Sequence, residues 1–193
     1  NKSMLRLSQT DTAQFIIDTP FCGIFSDMGF GKTVSVTTAI EKLFRQKEIK
    51  KVLIVSTVLV ARDTWPEELS AWGHTSHLTF NLLYGSPSER LEKAKGDEHV
   101  HIINQENFVW LAEQAGKKWP YDMVVFDDAK GFKSATRRSK INSAICVHAK
   151  ACPIYLHDKG SRACTMLCGD FKSPPRRHTR FGALCAISHQ IKR

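Results

Sequence analysis

The sequence predicts an α/β domain in which buried parallel strands alternate with helices. Residues 52–55 are four apolar residues in succession, a pattern typical of a strand that is covered on both faces. Residues 22–25 form a second apolar run, followed by a glycine-rich loop and by residues 34–44, whose apolar positions favour a helix packed on a sheet. Further strands are expected at residues 78–84, 100–103 and 121–126, and further helices at residues 5–17 and 89–95.

The chain has the size and composition of one main domain, with charge concentrated at one end. It has 193 residues, of which 42% are hydrophobic, enough for one proper core. Residues 1–128 hold 14 Lys and Arg against 17 Asp and Glu, whereas residues 129–193 hold 14 against 2. Such a basic block suits a polyanion such as nucleic acid. A solvated or disordered basic tail fits the same composition equally well.

Two further features bear on location and metal binding. No apolar run approaches the roughly 20 residues of a membrane span, and the N-terminus has no signal-peptide pattern, so a cytoplasmic protein without membrane contact is expected. Five of the six cysteines follow residue 140. Without a secretory signal they predict free thiols or a metal site. Cys164 and Cys168 with His157 or His178 are the zinc candidates, although no C-x-x-C pair is present.

The strongest motif is the segment Asp-Met-Gly-Phe-Gly-Lys-Thr at residues 27–33, which lies between a predicted strand and a predicted helix. Glycines there allow backbone N–H groups to close around phosphate oxygens, and the helix N-terminus adds partial positive charge. Lys32 would reach the β- and γ-phosphates of ATP, and the Thr33 hydroxyl would bind Mg²⁺. The nucleotide contacts predicted from this segment are Met28, Gly29, Phe30, Gly31, Lys32 and Thr33. A glycine-rich turn with a surface lysine is the alternative.

The strict phosphate-loop pattern is not met, because Ser26 occupies the position of its first glycine. The looser pattern that is met resembles motif I of superfamily 2 helicases and DNA translocases. Residues 56–69 resemble motif Ia of the Swi/Snf-type members, particularly bacterial and phage ones, and residues 104–107 and 127–130 resemble motifs Ib and II. This resemblance implies the first RecA-like domain of such a protein. It implies a P-loop fold with a parallel sheet, helices on both faces and nucleotide at the carboxyl ends of the strands.

Asp127 and Asp128 directly follow the predicted strand at residues 121–126. In P-loop NTPases such a carboxylate holds Mg²⁺ and the next one orients the attacking water. Lys32, Asp127 and Asp128 are therefore the predicted catalytic residues, with Thr33 and Asp127 as the metal-binding pair. Asp128 stands where the family has glutamate, which shortens its reach by one methylene. Two carboxylates that form a turn are the alternative.

The resemblance also implies contacts with adenine and with DNA. Gln9 has the placement of the glutamine that reads the adenine edge in superfamily 2 proteins, although an ordinary polar residue near a helix start is equally consistent. The side chains predicted to bind DNA are Ser56, Thr57, Arg62 and Asn104. In the alternative interpretation Arg62 is a surface charge, Asp63 or Thr64 caps a helix, and Trp65 and Leu69 are core residues.

The family pattern fails in the last third of the chain. Residues 154–160 are the nearest candidate for motif III, but none of its residues is in register. We therefore expect a RecA-like domain at residues 1–140 and a divergent, basic, cysteine-rich extension at residues 141–193. The resemblance implies a truncated ATP-binding half of an ATP-dependent DNA helicase, which hydrolyses ATP weakly or not at all without a second RecA-like domain. The alternative is a decayed, non-catalytic domain that binds a protein or nucleic acid as an inhibitor or adaptor.

Overall fold

The structure is a computed structural model that describes residues 4–19, 22–116, 118–127 and 152–158. Helices and strands alternate along most of this length, as the apolar runs predict. The elements in chain order are α1 (Leu7–Asp18), β1 (Cys22–Ser26), α2 (Lys32–Arg45), β2 (Val52–Ser56), a π-helical turn (Val60–Thr64), α3 (Trp65–Ala71), β3 (Phe80–Leu82), α4 (Pro87–Ala94), β4 (Val100–Asn104), α5 (Gln105–Ala115), β5 (Met123–Asp127) and β6 (Cys152–Asp158).

The six described strands form one sheet in the order β1-β6-β5-β2-β4-β3. Every adjacent pair is parallel. All carboxyl ends therefore lie at one edge of the sheet, where open α/β folds bind their ligands. The loop after β1 and the residues at the end of β5 are consequently on the same edge.

Alternate residues of the central strands enter two separate cores, which explains why their sequences are continuously apolar. Val52 and Ile54 of β2 pack into one core with α1, α2 and α3. Leu53 and Val55 of the same strand face the opposite core, which includes Phe108 of α5. Helices therefore cover both faces of the sheet. The predicted α/β fold, a parallel sheet with helices on both faces, is confirmed.

Strand β6 comes from the segment that the sequence assigned to the extension after residue 140. It lies between β1 and β5, with Ile154 paired to Cys22 on one side and to Val125 on the other. Leu156 is 1% exposed and belongs to the core. The described part of the extension is thus part of the same sheet, which differs from the predicted boundary at residue 140. A strand from a distant part of the sequence can complete a sheet. The sequence pattern alone did not show that residues 152–158 pair with β1 and β5.

Several sequence predictions fall on residues outside those described. Asp128 is one of them, and so are Cys164, Cys168 and His178 of the suggested zinc site. Among the described residues, no cluster of His, Cys, Asp and Glu side chains suits a metal ion. The described helices are also too short or too polar to cross a membrane.

Candidate nucleotide-binding site

The loop between β1 and α2 turns sharply through two glycines. Gly29 has φ 75° and Gly31 has φ 91°, values that side chains with a Cβ rarely adopt. Gly31 also occupies the position just before α2, with ψ 37°. The glycines at these two positions therefore let the chain leave a buried strand and begin a helix within five residues.

Helix α2 begins at Lys32, directly after this turn. Its first backbone N–H groups have no carbonyl partner within the helix, and together with the helix dipole they favour an anion at this end. The hydrogen bond from Ser35 N to Gly31 O, 3.1 Å long, is where the ladder of the helix starts. Lys42 and Arg45 stand in the last turn, where positive charge is favourable. The start of α2 has the local structure of a phosphate site.

The side chain of Lys32 folds back over the loop that precedes it. Its Nζ donates to the carbonyl oxygens of Ser26, at 3.2 Å, and Asp27, at 3.1 Å. These contacts keep the ammonium group beside the backbone N–H groups of the loop. Thr33, the next residue, is half-buried in the first turn of α2. The structure thus brings Lys32 and Thr33 together at one helix end, as their spacing predicts.

The two glycines differ in what surrounds them. A Cβ added to Gly29 would meet nothing within 4 Å, so this part of the loop faces open space. A Cβ added to Gly31 would lie 2.2 Å from Nε2 of Gln9. Gly29 is therefore open on its outer side, whereas Gly31 is closely covered by α1. Met28 is 83% exposed, and Phe30 is half-buried.

Gln9 is 7% exposed and connects α1 to the loop of residues 27–31, which we call the phosphate loop. Its Nε2 donates to the carbonyl oxygen of Phe30 at 3.4 Å, and its Oε1 accepts from the backbone N–H of Arg6 at 2.9 Å. An amide group has two donor hydrogens and an oxygen with two lone pairs. Each end of the Gln9 amide therefore retains one hydrogen-bonding position beyond these contacts, as adenine recognition requires.

Ser26 ends β1 at the position where the strict phosphate-loop pattern has glycine. The residue is 8% exposed, and its Oγ is buried without a hydrogen-bond partner. Its carbonyl oxygen is one of the two that accept from Lys32. A serine thus fits here in place of glycine, with its hydroxyl beneath the loop.

Asp127 ends β5 and is held by two side-chain donors. Its Oδ2 accepts from Ser56 Oγ at 3.2 Å and from Trp65 Nε1 at 3.0 Å. Its backbone carbonyl accepts from Gln105 Nε2 at 3.2 Å. Ser56 ends β2 and Gln105 begins α5, the helix after β4. Asp127 is therefore held by residues from three segments, two of which contact its carboxylate and one its backbone carbonyl.

The phosphate loop and Asp127 lie on the same edge with one strand between them. Asp127 pairs with Leu156 of β6, which pairs with Ile24 of β1. Two strand spacings separate β1 from β5, or roughly 10 Å. The hydroxyl of Thr33 and the carboxylate of Asp127 are hard oxygen ligands of the kind that Mg²⁺ prefers. The residues present thus fit a magnesium-bound nucleoside triphosphate.

The surface predicted to bind DNA is partly accessible. Thr57 is half-buried, whereas the side chain of Arg62 is 57% exposed and forms an ion pair with Asp63 at 2.8 Å. The hydrogen bond from Arg62 lowers the pKa of Asp63 below its usual value. Val58 and Leu59 beside them are 41% and 65% exposed. These residues form an exposed strip at the end of β2 and along the π-helical turn.

Two other residues predicted to bind DNA are buried. Ser56 is 0% exposed, and its hydroxyl donates a hydrogen bond to the carboxylate of Asp127. Asn104 is 6% exposed, and its amide contacts Glu106 and Asn107 at 2.6 Å each. A side chain that binds DNA directly must reach solvent, and these two do not. The structure instead places Ser56 at the carboxylate of Asp127 and Asn104 in a local network at the start of α5.

Sequence reasoning missed two residues of the site. The alternative interpretation makes Trp65 a core residue, and it is fully buried, but its indole N–H also contacts Asp127. The amide of Gln105 donates to the backbone carbonyl of Asp127. A buried tryptophan needs a partner for its N–H, which was the available signal.

Comparison with known proteins places these features in context. A family model described as the SNF2-related domain matches residues 16–150. The chain is 31% identical over 121 residues to putative protein p41 of Acyrthosiphon pisum secondary endosymbiont phage 1, a match that covers 62% of this chain and 26% of that protein. It is 29% identical over 133 residues to the DNA excision repair protein ERCC-6-like of Mus musculus, covering 64% of this chain and 10% of that protein.

Solved structures show the same architecture. The SWI2/SNF2 ATPase core of Sulfolobus solfataricus in complex with dsDNA aligns with a TM-score of 0.65 at 20% identity, covering 85% of this chain and 33% of that one. A structure of the SWI2/SNF2 ATPase core domain of Sulfolobus solfataricus aligns with a TM-score of 0.56 at 22% identity, covering 80% of this chain and 31% of that one. The chain thus spans about a third of these structures, a quarter of the phage relative and a tenth of the mouse relative.

Proposed function

Because the chain belongs to the SNF2-related domain family, we propose that it is the ATP-binding half of an ATP-dependent DNA translocase. It binds ATP with Mg²⁺ and contacts DNA, and it hydrolyses ATP slowly or not at all without a second RecA-like domain. The arrangement of the phosphate loop and Asp127 on one edge, on either side of β6, carries this proposal. A plain P-loop kinase would not need the exposed strip at the end of β2.

Each residue of the site has a defined part in nucleotide binding. Lys32 leaves the carbonyls of Ser26 and Asp27 and binds the β- and γ-phosphates, while the N–H groups at the start of α2 bind the same oxygens. Thr33 and Asp127 hold Mg²⁺, which neutralises charge that develops on the phosphates. Asp128 orients the attacking water. Gln9 reads the adenine edge with the hydrogen-bonding capacity left in its amide.

Hydrolysis at a useful rate needs a further positive charge in addition to Lys32. In phosphoryl transfer an arginine finger contributes a factor of about 10³ to 10⁵ in rate. In this family we propose that a second RecA-like domain, or a partner protein, supplies it. Without that second domain or partner, this domain binds nucleotide and hydrolyses ATP at a low rate.

The test measures ATP·Mg²⁺ binding and steady-state ATPase activity, with and without double-stranded DNA. The wild-type chain should bind ATP·Mg²⁺, and Lys32→Ala should weaken binding at least about tenfold, since it removes a charged contact with phosphate worth about 1.5 to 3 kcal/mol. Lys42→Ala, a change at the other end of the same helix, is the matched control. Equal ATPase rates in wild type and Asp127→Ala, together with no nucleotide binding, would contradict the proposal and favour a non-catalytic binding module.

We propose that DNA binds along Thr57 and Arg62. Both follow β2, and Arg62 can exchange its ion pair with Asp63 for a phosphate. The alignment with a SWI2/SNF2 ATPase core in complex with dsDNA supports duplex DNA as the partner. Ser56 and Asn104 support the surface from beneath, because their side chains are buried.

Arg62→Ala should weaken binding to a DNA duplex and reduce the slope of log affinity against log salt by about 0.9, the value for one lost phosphate contact. Lys47→Ala is the control, since Lys47 follows the C-terminal end of α2 and therefore lies towards the opposite edge of the sheet. An unchanged salt slope in Arg62→Ala, or an equal loss in both variants, would exclude Arg62 from the DNA surface.

A further inference from the structure

We propose that Trp65 is a positioning residue for the magnesium site: its indole N–H holds the carboxylate of Asp127 in the orientation that binds Mg²⁺ with nucleotide. This inference rests on the proposed function. It concerns a side chain that touches neither nucleotide nor metal itself. Trp65 is 0% exposed, and its Nε1 lies 3.0 Å from Oδ2 of Asp127.

Two side-chain donors meet at one carboxylate oxygen of Asp127. Its Oδ2 accepts from both Trp65 and Ser56. Two donors on one oxygen fix the rotation of the carboxylate, so less entropy is lost when the metal binds.

The way in which the chain enters α3 sets the position of Trp65. The π-helical turn Val60–Thr64 leads into α3, which Trp65 begins. The backbone N–H of Trp65 donates to the carbonyl oxygen of Val60, as the wider π-helical turn requires. Such turns insert an extra residue into a helix and are frequent at functional sites. Here the residue that follows the turn is the one whose ring reaches β5, 62 positions further along the chain.

A second tryptophan on the same helix provides a matched comparison. Trp72 follows α3, is 7% exposed, and donates its own indole N–H to Oε2 of Glu68 at 2.7 Å. Trp65 and Trp72 are thus both buried indoles bound to a carboxylate. They differ in the carboxylate that each contacts: Trp65 contacts Asp127 of the proposed metal site, whereas Trp72 contacts Glu68.

The experiment measures the affinity of a fluorescent ATP analogue by anisotropy, once with Mg²⁺ and once with EDTA, using the whole chain. The ratio of the two affinities is the contribution of the metal. Trp65→Phe keeps an aromatic ring and removes the N–H. It should reduce this ratio about tenfold, the lower end of the effect of partners that orient metal ligands, and leave the affinity in EDTA unchanged. Trp72→Phe should leave both values unchanged.

Two further variants make the result decisive. Ser56→Ala removes the other donor to Oδ2 and should also reduce the ratio, so the inference is tested even if Trp65→Phe melts at a lower temperature. In Asp127→Asn, which has lost the charge that binds Mg²⁺, adding Trp65→Phe should cause no further change in the ratio. A wild-type ratio in Trp65→Phe overturns the inference while the proposed function stands. A wild-type chain that binds no nucleotide in either condition overturns both.

Discussion

At the level of single residues, the two glycines of the phosphate loop are needed for different reasons. Both have positive φ, so both are predictable from the sequence as turn residues. At Gly31 the neighbouring space is occupied by Gln9, whereas at Gly29 it is open. The glycine at position 31 is therefore required by φ and by the close approach of α1, and the glycine at position 29 is required by φ alone.

Gly31→Ala should destabilise the protein more than Gly29→Ala. Each change places a Cβ at a positive φ, at about 1 to 2 kcal/mol. Only Gly31→Ala also displaces the buried amide of Gln9, with loss of its contact to Phe30 and about 1 kcal/mol more. Urea unfolding of the two variants measures the difference. Equal free energies of unfolding would show that α1 does not cover the loop as described.

Single residues also mark the limit of what the sequence could predict at the site. The roles of Lys32 and Thr33 are encoded locally, because strand, glycines and helix follow one another within a few residues. The contact between Trp65 and Asp127 depends on how β2 and β5 pair. In sequence, a tryptophan that only packs in the core looks the same as one whose indole N–H also contacts a residue of the site. Ser56 was assigned to DNA for a similar reason, since a hydroxyl at a strand end suits phosphate and carboxylate equally.

At the level of elements, α4 depends on its first turn more than on packing. None of its residues is buried. Ser86 Oγ accepts from the backbone N–H of Glu89 at 3.3 Å, and Glu89 Oε2 accepts from the N–H of Ser86 at 2.6 Å. These bonds lower the pKa of Glu89 below its usual value. The turn at residues 85–88 and the helix after it were predictable because this cap is a local pattern.

Ser86→Ala should loosen α4 without disturbing the sheet. Loss of the cap is worth about 1 kcal/mol, which corresponds to about fivefold faster hydrogen exchange of the α4 amides if the helix opens locally. Ser88→Ala changes an exposed serine inside the same helix and should leave exchange nearly unchanged. Faster exchange in both variants, or in neither, would contradict the role of the cap.

Strand β4 carries a buried histidine whose protonation is linked to folding. His101 is 0% exposed; its Nδ1 lies 2.9 Å from the Tyr121 hydroxyl, and its Nε2 lies 3.2 Å from Oε2 of Glu98. Burial lowers the pKa of His101 below its usual value, against the opposing effect of Glu98.

The free energy of unfolding should therefore fall as the pH is lowered from 7 towards 5. Below the unfolded pKa of about 6.5 the unfolded chain binds a proton at this histidine that the folded chain does not, so stability is lost until the folded pKa is reached. For one proton the slope is at most about 1.4 kcal/mol per pH unit. His101→Gln should flatten this part of the curve. His77→Gln, a change at an exposed histidine, should not.

At the level of the whole molecule, the order of the strands creates the site. The sequence indicates strands and their polar ends, but it does not show that β6 separates β1 from β5. That strand sets the distance between the phosphate loop and Asp127. It also comes from a segment whose sequence departs from the family pattern, beyond the expected boundary at residue 140. The opposite edge of the sheet holds Glu98 and His101, far from the proposed nucleotide.

The most direct test of the central claim uses Mn²⁺ in place of Mg²⁺ with ATP, followed by backbone NMR. The paramagnetic ion broadens signals of nearby amides, so it reports where the metal–nucleotide complex is bound. The amides of Gly29, Gly31, Lys32 and Asp127 should broaden together on addition of Mn²⁺ and ATP, while those of Lys51 and Glu98 at the opposite edge should stay sharp. Broadening at residues 29–33 without Asp127, or broadening centred on the opposite edge, would contradict a nucleotide site between the phosphate loop and β5.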